Sequence, residues 1–402
     1  MDFLQEAFLK SIHAIGNSDP NPPVGAILVD KNQKIIGSGY TQPFGGPHAE
    51  VMAIDDARNR KLQDSIPGST LYVTLEPCSH FGKTPPCTTK IIESQIKKVV
   101  IACIDPTEKV EGLETLKSNN ILVELANQDN CSEQIFWTLN AFCFAQLNHK
   151  PRITLKWAQT KSGWLAPLNQ TSGRISCDAS REFMFRMRKI LNSVLVTPAT
   201  VYYDRPLLTP RYNHQIDLPL KGNHFLNQIL KNFENHNTND NAKYYKRFIM
   251  LPRYQPQWSQ KDMESYADLQ ARQPGELFFI TDDSAQKDWL ESHGLIVFQV
   301  PGYEDFNAIL EFAFKKGAIN LMIESGPKYC QKITNDGLCD ILLCFQSKKE
   351  IWSEGRGFAL GHLIAQNNDK QIIDLGYKKI YDIPLEDHDV LIYARDVHFS
   401  KT

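Results

Sequence analysis

Leu75-Glu76-Pro77-Cys78-Ser79-His80-Phe81-Gly82-Lys83-Thr84-Pro85-Pro86-Cys87, preceded by Pro47-His48-Ala49-Glu50, decides how this 402-residue chain is read. One imidazole and two thiols give three protein ligands for zinc and leave a fourth tetrahedral position for water, as in a catalytic site rather than a closed structural one. His and Cys donors favour zinc over magnesium or calcium. Such a metal lowers the pKa of its water toward neutrality, and the hydroxide formed can attack an amidine-like ring carbon. Glu50, two residues beyond the imidazole and not itself a ligand, is placed to carry a proton to departing ammonia. Taken singly, His48 reads as a helix-start residue and either cysteine as a small buried hydrophobe. The combination, with Pro77 before Cys78, makes them metal ligands. Cys103, Cys131, Cys143, Cys177, Cys330, Cys339 and Cys344 show no ligand spacing and read as structural.

Zinc base deaminases carry H-x-E followed by P-C-x-x-C. Here H-A-E fits the first half, and the second half is P-C-x8-C, with a longer loop between the thiols. Working outward, apolar residues at Phe3, Leu4, Ala7, Phe8, Ile12 and Ala14 have helical spacing over 1–15. Strands are expected at Val24–Val29, Ile35–Tyr40 and Thr70–Leu75, a helix from His48 to Leu62, and another after Cys87. Strand Lys98–Cys103, a helix around Leu113–Lys117 and strand Ile121–Leu125 complete a layered α/β pattern. His48 after Pro47 and Cys78 after Pro77 are both expected on first helical turns, where free N–H groups favour thiolate.

The chain is too long for one ordinary core, so two domains are expected. A formal net charge of −2 gives no field to hold a polyanion and disfavours nucleic acid as a partner. Nine cysteines with no apolar leader at the N-terminus fit reduced thiols in the cytoplasm. No run approaches the ~18 apolar residues that span a bilayer, so no membrane partner is expected. Residues 131–147 have the spacing of an amphipathic linker helix, and Asn148-His149-Lys150-Pro151 marks the domain boundary.

Beyond the boundary a second α/β pattern begins with strand Arg152–Ala158, helix Ser180–Ile190 and strand Val194–Thr197. Later strands are expected at Arg247–Leu251, Leu277–Thr281, Leu295–Val300, Ile319–Ile323 and Ile341–Phe345. The polar, Asn-rich segment over about 213–245 reads as a surface insertion.

The first domain, 1–147, resembles the deaminase half of the bifunctional deaminase/reductase family of riboflavin biosynthesis. The resemblance rests on Asn21-Pro22-Pro23-Val24-Gly25, Pro47-His48-Ala49-Glu50 and the run from Thr74 to Cys87. It implies a cytidine-deaminase-like three-layer α/β/α domain in which Glu50 is the catalytic proton carrier and His48, Cys78 and Cys87 bind Zn2+. Asn21, His80 and Lys83 would line the substrate pocket, and a lysine there suits a ribose phosphate. Where the family usually shows D-P-N-P, the chain has Asp105-Pro106-Thr107-Glu108, keeping the Asp and losing the Asn.

The second domain, 151–402, resembles the family's reductase half in Lys156-Trp157-Ala158, in Ala199 to Arg211, and in Ile323-Glu324-Ser325-Gly326-Pro327. The resemblance implies a dihydrofolate-reductase-like α/β domain that uses NADPH. It sets Thr200, Asp204, Gly326 and, more weakly, Ala158 and Arg174 against the cofactor. Ser172, Arg188, Leu208, Arg211 and Glu324 fall where the family holds substrate, and Asp204 where a catalytic proton is handled. Three positions depart from the family: Thr160-Lys161-Ser162-Gly163 replaces S-L-D-G, Arg174 lies near a missing Trp, and Pro252 replaces an Asp.

The implied activity is zinc-dependent deamination of a diaminopyrimidinone ribosylamino phosphate, then NADPH-dependent reduction of its ribosyl to a ribityl chain. The departures open one alternative, a deaminase whose second domain is a non-catalytic dimerisation or regulatory module. A tRNA or other nucleic-acid deaminase fits the charge less well. The family also implies a homo-oligomer.

Overall fold

The computed structural model describes residues 2–107, 110–126, 138–168, 175–209, 218, 226, 229–230, 245–253, 258–273, 275–385 and 387–395. Cys131, Ser172, Arg174, Arg211, most of the Asn-rich segment and the first part of the expected linker helix lie outside the described residues. The chain divides into two compact units that meet in sequence at Pro151/Arg152, with Ile229 and Leu230 grouped with the first.

The first unit runs α1 (Phe3–Ser11), β1 (Gly25–Val29), β2 (Ile35–Tyr40), α2 (Ala49–Asn59), β3 (Thr70–Val73) and α3 (Cys87–Glu93). It continues with β4 (Lys98–Ile101), α4 (Gly112–Ser118), β5 (Leu122–Leu125) and α5 (Asn140–Asn148). Asp2 caps α1 by accepting the Leu4 and Gln5 N–H groups. The sheet order is β2-β1-β3-β4-β5, antiparallel at β2-β1 and β1-β3 and parallel from β3 to β5.

Strand alternation sorts the helices to opposite faces. Ile27 and Val29 of β1 pack with Phe3 and Ala7 of α1. Gly25 is on that same face, and a Cβ there would lie 1.9 Å from the Ala7 carbonyl oxygen. Ala26 and Leu28 point the other way, opposite Gly39 and Gly37 of β2. There α2 lies so close that a Cβ on Gly39 would sit 2.4 Å from the Ala49 carbonyl oxygen. One helix on each face makes the expected three layers.

The second unit contains β6 (Arg152–Gln159), β7 (Ala166–Pro167), α6 (Asp178–Leu191), β8 (Ser193–Val196), α7 (Pro198–Asp204), β9 (Lys246–Met250), α8 (Gln260–Ala271) and β10 (Glu276–Thr281). It continues with α9 (Ser284–Ser292), β11 (Val297–Gln299), α10 (Phe306–Lys315), β12 (Asn320–Glu324), α11 (Pro327–Asn335) and β13 (Ile341–Ser347). It ends with β14 (Gly355–Arg356), α12 (Ala359–Ala365), α13 (Asp369–Asp374), β15 (Tyr377–Pro384) and β16 (His388–Arg395). Nine strands form one sheet in the order β11-β10-β9-β8-β12-β6-β13-β16-β15, parallel from β11 to β13 and antiparallel thereafter. Every residue of β8 and β9 is buried, as expected where helices cover both faces of a parallel sheet. β7 and β14 pair separately as a short antiparallel ribbon.

One local expectation is overturned. Cys78 is on no helix: β3 stops at Val73 and residues 76–79 carry no regular structure. Glu76 fixes this stretch, its buried carboxylate accepting the N–H groups of Asp105 (3.3 Å) and Leu113 (2.9 Å). Gly112 closes against the Pro77 carbonyl, where a Cβ would come within 1.9 Å. The anchors hold Pro77-Cys78 out of any helix. His48 is the N-cap of α2, and Cys87 opens α3.

Candidate active sites

In the first unit three elements converge. His48 comes from the start of α2, Cys78 from the segment after β3 and Cys87 from the start of α3, and their ligand atoms all lie within 4.8 Å of one another. The His48 Nδ1 is 3.6 Å from the Cys78 Sγ and 3.4 Å from the Cys87 Sγ. A tetrahedral zinc with Zn–N near 2.0 Å and Zn–S near 2.3 Å sets its nitrogen and sulfur ligands about 3.5 Å apart. Donor type and spacing therefore fit Zn2+, with one coordination position left for a small molecule.

Cys78 also accepts the Cys87 backbone N–H at 3.3 Å. Hydrogen bonds from the Cys87 thiol and the His48 ring join it in lowering the Cys78 thiol to about 4, against the opposing push of burial. Those bonds favour the thiolate a metal needs. Glu50 is buried beside the cluster, and burial pushes its carboxyl up to about 7, opposed by the charge of His48. A dication there acts in the same direction as His48.

A cavity of about 420 Å³ opens on the cluster, and His48, Cys78, Asn21, His80 and Lys83 are among its lining residues. The Lys83 ammonium sits 3.9 Å from the centroid of the Phe44 ring, which also lines the cavity. Asp105, whose carboxylate accepts the Thr107 N–H (2.9 Å) and hydroxyl (2.7 Å), is pushed upward by burial and pulled down by those bonds and by His80.

In the second unit a cavity of about 680 Å³ opens at the carboxyl ends of parallel strands, where ligands of open α/β sheets bind. Ala158 reaches it from β6, Thr200 and Asp204 from α7, Arg188 from α6, Glu324 from β12, and Gly326 from the start of α11. Leu208 lines it too, fully buried and with φ +55, a left-handed conformation that is costly for leucine. Arg188 Nε donates to Glu324 Oε1 at 2.6 Å, and Lys156 Nζ is 4.0 Å from Glu324 Oε2. Burial pushes the Glu324 carboxyl up, but Arg188 and Lys156 outweigh it and hold the group below its ordinary value. Asp204, whose side chain opens to the cavity, is shifted upward by its enclosure and pulled down by Lys156.

Lys156, Arg181, Tyr203 and Arg356 line the same cavity although their sequence did not single them out as site residues. Lys156 belongs to the Lys156-Trp157-Ala158 run that resembles the reductase half. Arg356, between two glycines in a polar segment, carried no periodic signal at all. At the departure from S-L-D-G, Glu350 accepts both the N–H (2.9 Å) and the hydroxyl (2.6 Å) of Ser162. The cavity's cations and the backbone N–H groups at the start of α11 fit a phosphorylated dinucleotide such as NADPH.

A model of the cytidine and deoxycytidylate deaminase zinc-binding region matches residues 1–103, and one of the RibD C-terminal domain matches residues 151–348. Riboflavin biosynthesis protein RibD of Aquifex aeolicus is 33% identical over 350 residues, covering 87% of this chain and 86% of the relative. A solved diaminohydroxyphosphoribosylaminopyrimidine deaminase/5-amino-6-(5-phosphoribosylamino)uracil reductase from Thermotoga maritima superposes with TM-score 0.72 at 26% identity, covering 98% and 97% of the two chains. RibD of Acinetobacter baumannii shares the fold over 98% of both chains, with TM-score 0.75 at 24% identity.

Proposed function

Given that the chain belongs to the RibD family of bifunctional riboflavin-biosynthesis enzymes, we propose how its own residues divide the two reactions. It deaminates a diaminopyrimidinone ribosylamino phosphate with zinc and then reduces the ribosyl group to ribityl with NADPH. The observation that carries the first assignment is the convergence of His48, Cys78 and Cys87 beside buried Glu50.

Zinc held by those three side chains supplies the Lewis acidity that makes water nucleophilic near neutral pH. Glu50 accepts the proton of the attacking water and delivers it to the exocyclic amine, which leaves as ammonia. Asn21 and His80 orient the pyrimidine, and Lys83, steadied on Phe44, pairs with the ribose phosphate. Burial of Glu50 keeps its proton from exchanging with bulk water during the transfer.

NADPH supplies the hydride of the second reaction. Asp204, open to the cavity and shifted upward, handles the proton that the sugar needs as its ring opens. The buried Arg188–Glu324 pair presents its remaining donors and acceptors to substrate in the cavity that Leu208 also lines; Ser172 and Arg211, assigned to substrate by the family resemblance, lie outside the described residues. Ala158, Thr200 and Gly326 form the cofactor side, and Arg174, assigned to the cofactor by the resemblance, lies outside the described residues. The reducing cytoplasm suits both free thiols and NADPH, and no helix among the described residues is long and apolar enough to cross a membrane.

The test follows ammonia release and NADPH oxidation separately in zinc-loaded protein given the phosphorylated substrate. Both signals are expected. Ammonia alone would demote the second unit to a scaffold, and neither would refute the substrate assignment.

A further inference from the structure

The reductase cavity is electrostatically unbalanced. Four cations line it (Lys156, Arg181, Arg188 and Arg356) against two carboxylates, Asp204 and Glu324. Three of the four have acidic neighbours: Arg188 and Lys156 face Glu324, and Arg181 lies 3.7 Å from Asp178. Arg356 pairs with no carboxylate among the described residues.

The way Arg356 is held explains what it is free to do. It sits on β14, opposite Ala166 of β7, and its Nε donates to the Pro167 carbonyl oxygen at 3.3 Å. That bond uses the inner edge of the guanidinium and leaves the two terminal nitrogens, the edge that grips a phosphate in a fork. The ribbon is anchored at its base. The Leu165 N–H donates to the Arg356 carbonyl, Ser162 is clasped by Glu350, and His362 Nδ1 lies 3.0 Å from the Ser162 carbonyl oxygen. The flanking glycines permit this packing. A Cβ on Gly355 would come within 2.8 Å of the Ala166 carbonyl oxygen, and one on Gly357 within 2.5 Å of the His362 ring.

We infer that Arg356, fixed by the β7–β14 ribbon, is a phosphate-binding residue of the reductase cavity. The inference rests on the reductase reading above. The phosphate belongs either to the dinucleotide or to the substrate's ribose, and the two sources are separable by titration.

The experiment measures equilibrium binding of NADPH, NADH and the already deaminated phosphorylated substrate to the full chain, wild type beside Arg356→Gln and Arg356→Lys. Gln keeps a donor for Pro167 and removes the charge, whereas Lys keeps the charge. The expected result is at least a tenfold rise in one Kd for Arg356→Gln, largely rescued in Arg356→Lys, with ammonia release unchanged. A rise for NADPH but not NADH assigns the 2′-phosphate, a rise for both the pyrophosphate, and a rise for substrate alone the ribose phosphate. Kd values within twofold of wild type for all three ligands would overturn the inference. So would equal losses in both variants with a lowered melting temperature, which mark a purely structural arginine. Wild-type protein that binds these ligands without oxidising NADPH would instead sink the reductase reading while leaving Arg356 decided by its Kd values.

Discussion

Gly39→Ala tests whether the close approach of β2 to α2 sets the geometry of the metal centre. The added methyl carbon would meet the Ala49 carbonyl oxygen at 2.4 Å and the Ala53 nitrogen at 2.5 Å, where ordinary contact begins at 3.4 Å. Both obstacles are backbone, so no side chain can rotate away, and α2 must retreat by about 1 Å. Ala49 lies between His48 and Glu50, so the retreat carries a ligand and the proton carrier together. A displacement of about 1 Å in a catalytic group costs on the order of a hundredfold in rate. Overpacking adds about 1–3 kcal/mol of destabilisation to the first unit. The assay is initial ammonia release, with NADPH oxidation on already deaminated substrate as an internal control. A hundredfold fall in the first with the second unchanged is expected. Ammonia release within threefold of wild type would mean that the helix tolerates the methyl and that this contact does not position the site.

Three further outcomes follow from geometry already described. Stripping the metal with a chelator, or replacing Cys87 with serine, abolishes ammonia release and leaves NADPH turnover on deaminated substrate intact; parallel loss of both would break the assignment of zinc to the first unit alone. Glu324 has a folded pKa below its unfolded value, so the unfolded chain binds more protons. Its stabilisation is full above the ordinary glutamate range and disappears as pH falls through the lower folded value. Melting temperature measured against pH should therefore drop more steeply below that range in wild type than in Glu324→Gln, and identical slopes would contradict the ion pair. Asp204→Asn should slow NADPH oxidation by about a hundredfold or more, the usual share of a general acid or base, while full turnover would leave Asp204 only an anchoring role.

The metal centre was legible because its chemistry needs particular side chains at short sequence spacing. His48, Glu50, Cys78 and Cys87 span two local runs, and each run carries its own turn signals. What the sequence obscured was the backbone under Cys78. Proline opens helices and ends strands equally well, and the decision belongs to Glu76 and Gly112, whose partners are far along the chain. Most strands of the second unit were legible as apolar runs, but β15 was not. As an edge strand it alternates buried Tyr377, Tyr381 and Ile383 with exposed Lys378, Asp382 and Pro384, a pattern interrupted by the irregularity near Lys379. β16 carries an apolar run, Val390 to Ala394, that the sequence reading passed over. Arg356 failed to register because a two-residue strand has no period, and only the closed ribbon turns it toward a cavity.

The order of strands in the second unit also bears on synthesis. Leu155, in the first strand of that unit, pairs with Ile323 on one side and Leu342 on the other. Until the ribosome has delivered both of those segments, β6 has two open edges and no sheet to join. The first unit closes its five strands from residues that have all emerged earlier, so it can complete folding while the second still waits. A chain cut short before β12 would release a competent deaminase tethered to an unpaired strand whose Ile153, Leu155 and Trp157 have lost their core, the kind of exposed edge that recruits other chains and aggregates.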